Sequence, residues 1–174
     1  MKIGAIRKLS CAFLVLLLMV ASTAVIGAAP ATTAVAPEEL AAVPAQEFSL
    51  PAINGQTVTV SYAGKLTVLN FWAVRCSYCR EEMPEINNFA SAYRARLQFY
   101  AIDLKEPADK VTGYLQENKF SLPVLLDGSG ELGKQFAVKT IPTTIVIDSQ
   151  GNIVFRKAGV MTQAELEGVV AGHL

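Results

Sequence analysis

The run LTVLNFWAV, residues 66–74, is almost continuously apolar and rich in β-branched and aromatic side chains, and it leads straight into RCSYCREEMP. Such a run suits a strand buried on both faces. From Tyr78 onward Met83, Ile86, Phe89, Ala90, Tyr93 and Leu97 recur at helical spacing, with Pro84 inside as an expected kink. Cys76 and Cys79 therefore fall where a buried strand passes into a helix. This puts Cys76 at or just before the helix N-terminus, where free backbone N–H groups and the helix dipole favour its thiolate, with Cys79 about one turn in.

A Cys-x-x-Cys pair has three chemical readings. Structural zinc needs four ligands, and the domain offers only Cys76, Cys79 and the single histidine, His173, one residue from the end. A purely structural disulfide across so small a loop would restrain the unfolded chain little. The remaining reading is a reversible dithiol. In it Cys76 attacks a target disulfide, and Cys79 resolves the mixed disulfide without metal or organic cofactor.

Outside this motif the chain divides by composition. Lys2, Arg7 and Lys8 are the only charges before Glu38, and they precede the apolar stretch LSCAFLVLLLMVASTAVIGAA. Residues 1–28 read as a signal peptide or an N-terminal membrane anchor: the core Leu14 to Val20 followed by ASTA suits cleavage, whereas Leu9 to Ala28 is long enough to span a bilayer. Both fates stay open, and in either the basic end remains in the cytoplasm while the rest crosses. Cys11 lies in that apolar run, lacks the residues that precede a lipidated cysteine, and reads as a bland apolar residue. Residues 29–46, rich in Ala and Pro, read as a linker, leaving 47–174 as one domain. Fifteen basic and fifteen acidic residues balance overall, so the region beyond the leader has a small acidic excess, which argues against a nucleic-acid partner.

Within the domain, EFSLPAINGQTVTV alternates, turns at Asn54-Gly55 and alternates again as a hairpin. LQFYAIDL and LPVLLD read as strands, KEPADKVTGYLQENKF as a helix with Val111, Tyr114 and Leu115 on one face, and GSGELGKQFAV as a brief helix. TTIVID and NIVFRK form a second hairpin. TQAELEGVVAGHL closes the chain as a helix, with Thr162 and Glu165 at capping-box spacing. Strand and helix alternation closed by a hairpin and helix predicts an α/β sandwich around a central mixed sheet, with an N-terminal β-hairpin extension.

FSLPAINGQTVTV, NFWAVRCSYCREEMP, LPVLLDGSGELGKQFAV and TIPTTIVIDSQGNIV, in this order, resemble the TlpA/ResA-like thioredoxin-fold thiol-disulfide oxidoreductases of the bacterial cell envelope, a group that includes cytochrome c maturation proteins. The resemblance covers nearly all of the folded region. It implies a thioredoxin-like three-layer sandwich and a cis bond before Pro142, where the backbone around Ile141 would bind the substrate chain beside the cysteines. It also implies that Glu82, one turn beyond Cys79, assists proton transfer; burial beside a thiol would raise its pKa and suit it to that work. Asn70 stands where thioredoxin has a buried aspartate, so the usual relay is absent. Trp72 matches the tryptophan that shields the thiols, a role equally compatible with plain core packing.

Arg75 departs from the family, which usually has a tryptophan there. Its guanidinium either favours the Cys76 thiolate or points into solvent. Ser77 and Tyr78 also differ from the common proline-containing pairs, and Tyr78 is a candidate for partner contact. The function implied is an extracytoplasmic reductant of protein disulfides, apocytochrome c among the candidate targets, supplied by a membrane-embedded thiol electron donor. The competing functions are a thiol oxidase or isomerase, a thiol peroxidase, and a non-catalytic binding module. AVRCSYC lacks the Pro and Thr that precede a peroxidatic cysteine.

Overall fold

The computed structural model describes residues 44–174. The leader and nearly all of the linker lie outside the described residues. Among the described residues no helix is long and apolar enough to cross a membrane. The chain is already tied to the body at Pro44, which bridges to Asn152, and at Ala45, whose N–H donates to Gly151 O at 2.7 Å.

Strands β1 (Phe48–Pro51) and β2 (Thr57–Val60) form an antiparallel hairpin, with Asn54 and Gly55 in its turn; Gly55 has φ 81°, a conformation glycine adopts without penalty. The main sheet contains β3 (Thr67–Trp72), β4 (Gln98–Leu104), β5 (Val124–Asp127), β6 (Thr143–Ile147) and β7 (Ile153–Ala158), in the order β5-β4-β3-β6-β7. The pairs β3·β4 and β4·β5 are parallel, while β3·β6 and β6·β7 are antiparallel. Every residue of the central strand β3 is buried, as its unbroken apolar pattern requires.

Strand alternation then divides β3 between two cores. Val68 and Trp72 pack with Met83, Ile86 and Phe89 of α1 (Ser77–Tyr93), Val111 and Leu115 of α2 (Ala108–Glu117), and Leu166 and Val170 of α4 (Gln163–Ala171). Leu69 and Phe71 face the other side, where Leu132 of α3 (Glu131–Gln135), Phe136, and Phe48 and Val60 of the hairpin cover them. The result is the three-layer thioredoxin-like sandwich with its hairpin extension.

The short elements follow local chemistry. Thr162 caps α4 by accepting from Glu165 N, and the Glu165 carboxylate accepts from Thr162 N in return. Helix α1 runs unbroken past Pro84. The apolar run of residues 66–74 outlasts its strand, because the chain turns out of the sheet after Trp72 and Cys76 N–H donates to Ala73 O at 3.1 Å.

Candidate active site

Cys76 is the N-cap of α1, in extended conformation, and the N–H of Cys79 points at its Sγ across 3.2 Å. An N–H aimed at a sulfur at a helix N-terminus stabilises negative charge there. The two cysteines are joined as a disulfide, with Cα atoms 5.2 Å apart. Cys76 is half-buried and Cys79 wholly buried, so only the first sulfur is open to an incoming partner.

The Ile141–Pro142 peptide bond is cis, and the Ile141 carbonyl oxygen lies 3.7 Å from Cys76 Sγ. Ile141, Pro142, Tyr78 and Val160 line a concavity of about 390 Å³ beside the pair. Tyr78 is 63% exposed at the rim of this concavity. Trp72 is different: it is fully buried, packed 5.7 Å from the Tyr114 ring, and belongs to the same core as Cys79. Its ring lies in the core with no exposed face.

Glu82 is 1% exposed. Its Oε1 accepts from Asn70 Nδ2 at 2.9 Å and its Oε2 from the Met161 N–H at 2.8 Å. Asn70 Nδ2 also donates to Thr144 Oγ1 at 3.1 Å, while its Oδ1 has no partner among the described residues. Burial pushes the Glu82 carboxyl up to about 7, against the pull of the Asn70 and Met161 hydrogen bonds. A carboxyl poised there, one helical turn beyond Cys79, exchanges protons readily near neutrality.

The Arg75 side chain stays about half exposed to solvent, at 49%, while its head is held at the end of β4. Its Nη1 donates to Leu104 O at 2.8 Å and stands 3.7 Å from Glu106 Oε1. Glu106 is a participant that sequence reasoning missed. Its carboxylate accepts from the backbone N–H groups of both Val74 and Arg75 and from Lys110 Nζ at 2.6 Å, so it holds the loop that delivers Cys76. Burial works against its charge, but the hydrogen bonds donated by Lys110 Nζ and the Val74 N–H prevail and keep its pKa below the ordinary value. Asp103, fully buried at the end of β4, accepts from the Glu106 N–H at 3.2 Å; burial and the adjacent Glu106 carboxylate push its own pKa up. A charged residue inside the apolar strand YAIDL was the one signal available for this pair. Among the described residues no cluster of His, Cys, Asp and Glu is arranged to hold a metal ion.

The profile of the AhpC/TSA family matches residues 41–156. Sporulation thiol-disulfide oxidoreductase A of Bacillus subtilis (strain 168) is 31% identical over 136 residues, covering 76% of this chain and 82% of the relative. Thiol-disulfide oxidoreductase ResA of Bacillus thuringiensis subsp. konkukian (strain 97-27) is 29% identical over 125 residues, 71% of this chain and 72% of its own length. Among solved structures, the crystal structure of StoA from Bacillus subtilis superposes with a TM-score of 0.65 at 30% identity, covering 73% of this chain and 97% of that one. A Cys-x-x-Cys pair capping the first long helix beside a cis-proline is what such enzymes need in order to exchange disulfides, and the chain belongs to the AhpC/TSA family as a protein thiol-disulfide oxidoreductase of the ResA/StoA type.

Proposed function

We propose that the protein reduces disulfides of other proteins outside the cytoplasm, with Cys76 as nucleophile, Cys79 as resolving thiol and Glu82 as the group that moves the proton. The observation that carries this reading is the contrast at the pair: an accessible sulfur at a helix N-cap, a wholly buried second sulfur, and a buried carboxyl with pKa near 7 one turn further on. In the reduced state the Cys76 thiolate attacks one sulfur of the target disulfide. The Cys76–target bond forms, the target S–S bond breaks, and the released target thiolate takes up a proton. Glu82 accepts the Cys79 proton; the Cys79 thiolate then attacks Cys76 Sγ, the Cys76–target bond breaks, and the second target sulfur leaves as a thiolate that takes up the proton Glu82 releases. Two electrons pass to the target, and the enzyme is left with the Cys76–Cys79 disulfide.

A membrane-embedded thiol donor restores the dithiol, and apocytochrome c, whose haem site is itself Cys-x-x-Cys-His, is a candidate target. The setting follows from residues 1–28, read as a signal peptide or anchor, joined through the 29–46 linker to a domain at 47–174. Ile141 and Pro142 offer backbone to the bound chain, and Tyr78 borders it; Trp72 packs in the same core as Cys79, and Arg75 braces the Cys76 loop.

Trapping tests the reading: with Cys79→Ala, envelope proteins should accumulate as mixed disulfides on Cys76, and absence of any adduct overturns it. Equilibration of the pair with dithiothreitol or glutathione decides direction, since a strongly oxidising couple would mark an oxidase or isomerase instead.

A further inference from the structure

Ile141, whose carbonyl lies 3.7 Å from the attacking sulfur, borders two unlike surfaces. On one side of Ile141 is the apolar concavity bordered by Tyr78 and Val160; on the other is a groove of about 250 Å³ lined by Arg75, Lys105, Lys134 and Lys139. Four cations gather here although the chain beyond the leader has a small acidic excess. Carboxylates answer part of that charge: Arg75 stands 3.7 Å from Glu106, and Glu131, paired with Lys134, also feels Lys105. Glu106 is 7% exposed and engaged with Val74, Arg75 and Lys110, and the buried Asp127 accepts from Gly133 N at 2.8 Å. Glu131 pairs with Lys134 at 2.6 Å, whereas neither Lys105 nor Lys139 has a carboxylate within 4.0 Å among the described residues.

Lys105 is placed there at a conformational cost. It adopts φ 62°, a left-handed conformation unfavourable for a lysine, and its side chain runs over Gly130. A Cβ on Gly130 would collide with Lys105 Cε, so the missing side chain makes the cation's path possible. Ile141 lines the groove, and its carbonyl lies 3.7 Å from Cys76 Sγ, so the groove and the attacking sulfur share this neighbour.

We propose that this groove selects protein partners whose target cysteine is flanked on one side by aspartate or glutamate. The inference rests on the reading of the protein as a disulfide reductant and adds the chemistry of its substrate. A carboxylate entering the groove meets unpaired cations in a concave site, where attraction is less screened than on a flat surface and speeds encounter as well as fixing register.

The test uses the reduced full-length protein and three disulfide-bearing peptides, alike except that the residues flanking one cysteine are Asp/Glu, Asn/Gln or Lys. Acid-quenched thiol counting gives the second-order rate constants. The acidic peptide should react about tenfold faster than the neutral one at low ionic strength, and the basic peptide more slowly than either. The spread should narrow as salt shortens the screening length from about 30 Å at 0.01 M to about 3 Å at 1 M. In the double variant Lys105→Glu with Lys139→Glu the order of acidic and basic peptides should reverse. Equal rates for the three peptides at low salt overturn the inference while leaving the reductant reading intact, and that comparison needs no variant to fold. Failure to reduce any of the three overturns the reductant reading, and the inference with it.

Discussion

Replacing Glu82 with glutamine isolates the one group whose buried charge the proposed proton transfer depends on. Burial lifts the carboxyl from its ordinary 4.5 to about 7. At 1.36 kcal/mol per pKa unit, the folded state therefore bears a penalty of about 3 kcal/mol for holding Glu82 ionised. Below pH 4.5 both folded and unfolded chains hold the proton and the penalty is absent. Between 4.5 and about 7 the unfolded chain releases it while the folded chain keeps it, so the wild type loses stability as pH rises; above about 7 the full penalty applies. The substituted amide never ionises. It can still accept from Met161 N–H and, once the Asn70 amide turns over, donate to Asn70 Oδ1, the atom without a partner among the described residues. The stability of Glu82→Gln relative to wild type should thus climb by about 3 kcal/mol between pH 4.5 and 8, whatever constant offset the altered hydrogen bonds add. Urea unfolding of the oxidised proteins across that range measures the difference. A flat difference would refute the raised pKa, and the proton role assigned to Glu82 would lose its physical basis.

Two further outcomes test the frame around the site. Glu106→Gln removes the anion that holds the N–H groups of Val74 and Arg75, and should destabilise the protein by about 1–3 kcal/mol at neutral pH while speeding amide exchange at both positions. Because the Glu106 pKa is lowered, that loss should shrink as acid protonates the wild-type carboxylate. Thr162→Ala breaks the capping box of α4 and should cost about 1 kcal/mol, read as a lower urea midpoint with unchanged slope.

What the sequence made visible is what neighbouring residues decide among themselves. The capping box joins residues three apart, the hairpin turn is set by Asn54-Gly55, and the cysteine pair lies three residues apart on a helix start, so each could be read from a short window. Helical spacing also brought Glu82 into consideration. What spacing could not supply was its burial or its hydrogen bonds, because these come from β3 through Asn70 and from the approach to α4 through Met161. The ends of the apolar strands were overrun for a related reason: Leu66, Ala73 and Val74 stay apolar while packing against the core, but only sheet geometry decides where pairing stops.

Arg75 shows where local reading gives out. From the sequence its choices were the thiolate or the solvent, since no acid nearby in the chain competes for it. The parallel register sets Trp72 beside Asp103, and this carries Glu106, three residues later, under the Cys76 loop. The guanidinium is drawn to Leu104 O and Glu106, and so ties the loop to the end of β4. The residue before Glu106, Lys105, runs over Gly130 into the groove that Arg75 also lines. One strand end thereby supplies both the buried anion that positions the nucleophile and an exposed cation for its partner. A charge reversal at Lys105 should therefore alter which disulfides are attacked, whereas a neutral residue at Glu106 should alter how firmly the attacking sulfur is held.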